Sequence, residues 1–145
     1  MSTSLVVDAS LTLKLILPNA EQSRCRELMA NWKQNGDNLC GPTLWLYEVA
    51  SALTKAVHFD ILTELEGRQA LKLAQELDFQ LIQPDNTMVE LAFDWTRRLN
   101  RAAAYDSFYL ALAESLAAEF WTADQRLVNA VGVPWAHYIT DSVLI

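Results

Sequence analysis

Long hydrophobic runs, cysteine motifs and excess positive charge are all missing from this sequence of 145 residues. No apolar stretch approaches the roughly 20 residues that a membrane-spanning helix needs. Asp8 interrupts the first apolar run after Leu5 to Val7, which excludes a signal peptide of the usual kind. The two cysteines, Cys25 and Cys40, lie in no CxxC pair and beside no histidine, so we expect reduced, buried thiols. These absences predict a cytoplasmic protein with no membrane contact.

The composition is that of an ordinary globular domain. Hydrophobic residues make up 52% of the chain and charged residues 20%, which argues against disorder and against a fibrous protein. No internal repeat, low-complexity tract or linker interrupts it. We therefore expect a single domain over residues 1–145. The net charge of -7 is at first sight unfavourable for a polyanionic partner.

Short apolar runs alternate with longer segments of helical periodicity. The runs are typical of strands and lie at Leu5–Val7, around Asn38–Cys40, and at Phe79–Ile82, Glu119–Thr122 and His137–Thr140. The helical segments are Glu21–Trp32, Pro42–Val57, Thr63–Leu77, Thr87–Leu99, Tyr105–Ala117 and Asp124–Val131. Pro42 suits a first helical turn, and Thr63 followed by Glu66 suits a capping box. This alternation predicts a mostly parallel sheet covered on both faces, an α/β sandwich of three layers.

Two of the eighteen acidic residues follow predicted strands directly. Asp8 is the only charged side chain among the first thirteen residues, and Asp124 repeats its position after the run at 119–122. Ligands of open α/β sheets bind at the carboxyl ends of strands, which favours a functional role. The alternative for both is a helix N-cap, a common use of aspartate.

Two further acids lie in early turns of apolar helices. Glu48 is the only acid between Gly41 and Phe59, and Asp106 heads a stripe of apolar residues in its helix. The alternative for Glu48 is an exposed charge on the free side of its helix. For Asp106 it is simple complementation of the helix dipole.

Taken together, these four carboxylates predict one convergent anionic site. Four such groups cannot stay ionised close together without a cation. Oxygen ligands without accompanying histidine or cysteine select a hard ion such as Mg²⁺ or Mn²⁺. Because Mg²⁺ takes substrate phosphates as further ligands, the chemistry that fits is phosphodiester hydrolysis.

At these same residues the chain resembles the PIN-domain nucleases, especially the toxins of VapBC-type toxin–antitoxin pairs. SLVVDASLTLKLILPN is similar to their first motif, GPTLWLYEVASAL to the second, and AAAYDSFYLALAESLAAEFWTADQRL to the third and fourth taken together. The motifs occur in the family's order and cover nearly the whole length of the chain.

The resemblance implies a central sheet of about five strands and a metal site of Asp8, Glu48, Asp106 and Asp124, supported by Ser10. It also implies dependence on Mg²⁺ or Mn²⁺ and endonuclease activity on single-stranded RNA. A homodimer and a cognate antitoxin that inserts a segment into the site are the expected partners. A housekeeping ribonuclease and a non-catalytic module that binds RNA or protein remain as alternatives.

Basic residues near the acids are candidate contacts for RNA phosphates: Lys14, Arg97, Arg98 and Arg101. Ordinary helix-surface charge is the alternative for each. A cation that neutralises the four acids reduces the net charge from -7 to -3, which weakens the electrostatic objection.

Two other points stay open at this stage. A receiver or haloacid-dehalogenase-like phosphatase is disfavoured, because no second acid follows Asp8 closely and no lysine follows Lys72. The apolar residues around Trp45 to Tyr47 and Phe59 belong either to the core or to an interface with a partner helix or a second copy.

Overall fold

The computed structural model describes residues 3–142 and contains five strands and seven helices in that range. The strands are β1 (Ser4–Val7), β2 (Asn38–Pro42), β3 (Phe79–Ile82), β4 (Glu119–Thr122) and β5 (Ala136–Tyr138). The helices are α1 (Ala9–Ile16), α2 (Gln22–Gln34), α3 (Leu44–His58), α4 (Glu64–Glu76), α5 (Asn86–Arg98), α6 (Tyr105–Leu116) and α7 (Gln125–Val131).

All five strands form one parallel sheet in the order β3-β2-β1-β4-β5. β1 lies at the centre of the sheet, and β2 and β3 follow it toward one edge. β4 lies on the other side of β1, and β5 lies beyond β4 at the opposite edge. The strand order therefore reverses between β1 and β4, where Val7 pairs with Trp121. In open parallel sheets the crevice at such a point, beyond the carboxyl ends of the strands, is the usual place for a ligand.

Helices cover the sheet on both faces. Right-handed crossovers place α1 to α4 on one face, where α1 contacts each of the other three. The return crossover from β3 to β4 places the packed pair α5 and α6 on the opposite face, with α6 against β1, β2 and β4. The prediction of a three-layer α/β sandwich with a central parallel sheet is confirmed.

The two central strands are buried on both sides, which explains their continuous apolar sequence. Val6, Val7 and Phe120 are fully buried, and Trp121 is 2% exposed. On the α2 side, Trp121 contacts Trp32 edge to face, with ring centroids 5.5 Å apart. Trp121 pairs with Val7, the last residue of β1, so Asp8 follows directly at the buried end of that strand.

The predicted elements are found, with two changes at their ends. Pro42 is the last residue of β2 rather than a first-turn residue of α3, which begins at Leu44. The sheet tolerates this proline because Thr43 supplies the next N–H, which donates to the Ile82 carbonyl. The last strand is Ala136–Tyr138 rather than residues 137–140.

Two smaller expectations are confirmed. Thr63 and Glu66 form the capping box at the start of α4. Cys25 and Cys40 are free and buried. No helix in the part of the chain from residue 3 to residue 142 is long and apolar enough to cross a membrane.

Candidate active site

Asp8 ends β1 and also caps α1. Its Oδ1 accepts hydrogen bonds from the backbone N–H of Leu11 at 3.0 Å and from the Ser10 hydroxyl at 2.7 Å. The N-cap interpretation is therefore correct for this residue. A cap does not need burial, however, and Asp8 is only 6% exposed. Its carboxylate lies at the crevice between β1 and β4, where a purely structural cap has no need to be.

Two hydroxyl groups connect Asp8 to the end of β4. Thr122 Oγ1 donates to Asp8 Oδ2 at 2.5 Å and accepts from the backbone N–H of Asp124 at 3.0 Å. Ser10 Oγ, besides donating to Asp8, accepts from the backbone N–H of Ala123 at 3.1 Å. Each hydroxyl therefore donates a hydrogen bond to Asp8 and accepts one from a backbone N–H just beyond β4. These bonds hold the ends of the two strands together.

Asp124 repeats the arrangement of Asp8 at the next strand. It caps α7, with Oδ1 accepting from the backbone N–H of Leu127 at 3.2 Å. Its side chain is partly exposed rather than buried. Asp8 and Asp124 thus follow neighbouring parallel strands, and both carboxylates cap helices that begin at the same edge of the sheet.

Glu48 and Asp106 reach the same edge from helices. Glu48, in the second turn of α3, accepts a hydrogen bond at Oε1 from the Tyr109 hydroxyl of α6 at 2.7 Å. Asp106, in the first turn of α6, is bonded at Oδ2 by Arg101 Nη1 at 2.8 Å. Both carboxylates are half-buried, so Glu48 is not a freely exposed surface charge.

At three of the four positions, the charge of another of these acids contributes to a raised pKa. The pKa of Asp8 is raised to about 6, chiefly by burial and to a smaller extent by the charge of Asp106, against the lowering effect of its three hydrogen bonds. Burial also raises the pKa of Glu48, with an added contribution from Asp106. The pKa of Asp106 is raised by burial, lowered by Arg101 and raised by Asp124. Asp106 is therefore the electrostatic centre of the group.

The acids do not form a ready-made metal cage. Within residues 3–142, no three histidine, cysteine or acidic side chains are close enough together to hold one ion between them. Mg²⁺ does not require such a cage, because it usually keeps several waters and takes one or two carboxylates directly. The donor set consists of carboxylate oxygens alone, and a cationic guanidinium already lies on Asp106. In donor chemistry, though not in a preformed arrangement, these residues suit a hard divalent cation.

The four basic residues predicted to contact RNA phosphates have different surroundings in the structure. Lys14 pairs with Glu21 at 3.1 Å, and Arg101 is bound to Asp106. Arg98 lies over the Trp95 ring at 4.2 Å from its centroid, and Arg97 is exposed. Their roles toward RNA remain predictions.

Sequence reasoning missed Thr122 and Tyr109. Thr122 had a signal, because it is the last residue of a strand two positions before a candidate acid. Only the pairing of β1 with β4 places its hydroxyl on Asp8. Tyr109 follows Asp106 by three residues, on the adjoining part of the α6 surface, and its donation to Glu48 depends on how α6 packs against α3.

A family model for the PIN domain matches residues 5–132, a range that contains all four acids. The chain belongs to the PIN domain family. The resemblance deduced from the motifs is confirmed.

Known PIN-domain proteins match over most of their own length. Ribonuclease VapC9 of Mycobacterium tuberculosis is 33% identical over 123 residues, which cover 85% of this chain and 87% of that protein. Ribonuclease VapC1 of the same organism is 34% identical over 93 residues, covering 64% and 68%.

Solved structures share the fold at low identity. VapBC2 from Rickettsia felis, bound to a DNA fragment from its promoter, has a TM-score of 0.71 at 9% identity and covers 93% of this chain and 98% of its own. VapC20 of M. tuberculosis, a toxin that cleaves the sarcin-ricin loop, has a TM-score of 0.66 at 14% identity and covers 87% and 94%.

Proposed function

We propose that this chain is a single-domain, metal-dependent endoribonuclease that hydrolyses phosphodiester bonds of single-stranded RNA and serves as the toxin of a toxin–antitoxin pair. The observation that carries the proposal is the placement of Asp8 and Asp124 just beyond the carboxyl ends of the paired strands β1 and β4, with Asp8 buried and bonded to Thr122. The relatives that this chain matches over most of their own length are named ribonucleases, and these names supply the reaction class.

Asp8, Glu48, Asp106 and Asp124 would hold Mg²⁺ or Mn²⁺ at this crevice. Such an ion supplies an activated water and stabilises the leaving oxygen. Asp8 is kept in place by Ser10 and Thr122, so its carboxylate needs no rearrangement on ion binding. Arg101 would have to leave Asp106 for that carboxylate to hold a cation, and its guanidinium would then be free to contact a substrate phosphate.

The remaining basic side chains would bind the RNA backbone without reading its sequence. Lys14, Arg97 and Arg98 are the candidates, and each is at least partly exposed. Together with the released Arg101 they offset the acidic net charge near the site. Salt-dependent RNA affinity is the expected consequence.

A cognate antitoxin and a second copy of the chain are the proposed partners. The support is the nature of the structural neighbours, which include a toxin-antitoxin complex from Klebsiella pneumoniae and FitAB bound to a DNA fragment. A stand-alone housekeeping ribonuclease would lack the antitoxin. Growth arrest on expression, relieved by the product of an adjacent reading frame, distinguishes the toxin.

The decisive experiment is RNA cleavage by wild type, Asp8→Asn and Asp106→Asn in Mg²⁺, Mn²⁺ and EDTA. Loss of a ligand from a metal that stabilises charge in the transition state is expected to lower the rate by about 1,000-fold. Asp85→Asn is the matched control, because Asp85 also follows a strand and caps a helix, α5, without lying at the crevice.

Cleavage by Asp8→Asn at near wild-type rate would disprove the assignment. Metal binding without any cleavage by the wild type, across single-stranded and folded RNAs, would favour the non-catalytic binding module instead.

A further inference from the structure

A cleft of about 550 Å³ opens beside the acidic crevice, between α3 and the start of α6. Its walls include two tyrosines, Tyr47 and Tyr105, and its lining also contains Glu48, Ser51 and Lys55. Each tyrosine immediately precedes one of the candidate metal ligands, since Tyr47 is followed by Glu48 and Tyr105 by Asp106. Because Glu48 itself lines the cleft, the cleft adjoins the proposed catalytic site.

Both tyrosine rings are unusually open to solvent for large aromatic side chains. Tyr47 is 67% exposed and Tyr105 62% exposed, whereas Trp45, only two residues before Tyr47, is 3% exposed and stacks on Phe79 in the core. Core packing therefore accounts for the aromatic side chain of Trp45, but it does not account for those of the two exposed tyrosines. Exposed aromatic surface at a cleft usually marks binding.

The chemistry of the cleft matches an unpaired nucleotide. Aromatic rings stack with any nucleobase, and such stacking is a general means of holding single-stranded nucleic acid. Lys55 offers an ammonium group to a phosphate at the same cleft. A neutral base, unlike a phosphate, can lie beside the Glu48 carboxylate without charge repulsion.

We propose that Tyr47 and Tyr105 form a stacking site for one unpaired nucleobase of the RNA, next to the phosphate that is cleaved, with Lys55 on a neighbouring phosphate. The inference rests on the proposed ribonuclease function and adds a reason for a single-stranded substrate, because a base inside a duplex cannot enter the cleft. The competing occupant of such a surface is a protein, either the partner or a second copy.

Fluorescent single-stranded RNA tests the site directly. The probe carries 2-aminopurine, whose emission is quenched by stacking, at successive positions, and binding is measured in the Asp8→Asn background so that the RNA stays intact. We expect quenching at one or two adjacent positions. An abasic nucleotide at such a position should weaken binding by about tenfold.

Tyr47→Leu and Tyr105→Leu should each weaken RNA binding by about tenfold and abolish the quenching, because leucine has no ring to stack. Tyr47→Phe and Tyr105→Phe keep the ring and should bind within about twofold of the parent. Phe93→Leu is the matched control, since Phe93 is 64% exposed on α5 and does not line the cleft. All three positions of change are exposed, and circular dichroism checks the fold of each of the five variants.

The outcomes separate this inference from the function on which it rests. Leucine variants that bind and quench like the parent would overturn the stacking site even if the wild type cleaves RNA. Leucine variants that change the oligomeric state or partner binding, with RNA binding unchanged, would assign the surface to a protein and also overturn it. A wild type that cleaves no RNA while the probe is quenched would disprove the nuclease and leave the stacking site standing.

Discussion

The two strand-end acids and the two helix acids are held in different ways. Asp8 and Asp124 accept backbone N–H groups of the helices that they cap, and the Thr122 hydroxyl joins them. Glu48 and Asp106 each depend on one long side chain, Tyr109 in the first case and Arg101 in the second. The first pair is held by backbone N–H groups, and the second by side chains alone, of which Tyr109 is buried and Arg101 is partly exposed.

This difference suggests a division of roles between the two pairs of acids in the proposed metal site. In the proposed metal site, one requirement is for ligands that are already in place, and a second is for a ligand that can exchange its present partner for the ion. Asp8 and Asp124 meet the first requirement because the register of β1 with β4 determines their positions. Asp106 meets the second, since its present partner is itself a cation. Three substitutions test this division.

The largest effect on stability is expected from Asp8→Asn in the metal-free protein. The pKa of Asp8 in the folded protein, about 6, lies above its ordinary value of 3.8. The resulting stabilisation is therefore complete below the ordinary value and is lost as the pH rises through the folded value. At about pH 8 the buried charge is a cost that asparagine avoids, so the variant should be more stable by about 2–3 kcal/mol.

Denaturant unfolding in EDTA at several pH values measures this difference, which should disappear in acid. Asp124→Asn is the control, because asparagine caps a helix as well as aspartate does, and its stability should stay close to that of the wild type. A metal-free Asp8→Asn protein that is less stable than wild type at high pH would contradict the burial argument.

A smaller effect is expected from Thr122→Val, which removes the hydroxyl shared by the strand-end acids. Asp8 Oδ2 loses a donor and the Asp124 N–H loses its acceptor, which should cost about 1–3 kcal/mol of stability. Calorimetric Mn²⁺ affinity should fall by about 10-fold or more, as for other groups that orient metal ligands.

Thr96→Val provides the comparison for that substitution. Thr96 is also buried, and its hydroxyl contacts the Ala92 carbonyl and Ser107 rather than a carboxylate. This variant should lose stability without losing Mn²⁺ affinity. Equal loss of affinity in both variants would mean that Thr122 acts through general stability alone.

The smallest effect is expected from Arg101→Gln, which removes the partner of Asp106, one of the two acids that lie in helices. The Arg101–Asp106 ion pair is partly exposed, with 33% and 40% of the two side chains accessible, so it contributes at most about 1 kcal/mol. Removing it frees Asp106, and Mn²⁺ affinity should rise by about two- to fivefold. Arg97→Gln changes a nearby exposed arginine and should leave the affinity unaltered. Weaker Mn²⁺ binding by Arg101→Gln would contradict the exchange of guanidinium for metal.

Much of the fold was predictable because its signals are local. The apolar runs that end at Asp8 and just before Asp124 required only strand periodicity, and the capping box of Thr63 and Glu66 required only spacing in the chain. Pro42 was assigned to the wrong element because a proline suits both a first helical turn and a strand end. Its pairing with Ile82, forty residues away, decided between them.

The sequence by itself determined the order of strands and helices, the residues that end each central strand, and the four candidate acids, two of them just beyond strands and two in helices. Only the tertiary structure decided what holds those acids, because the contacts span long stretches of chain. The Thr122–Asp8 bond joins residues 114 apart and the Tyr109–Glu48 bond residues 61 apart. The same holds for the tyrosine cleft, since burial separates Trp45 from Tyr47 and no local pattern distinguishes an exposed aromatic ring from a packed one.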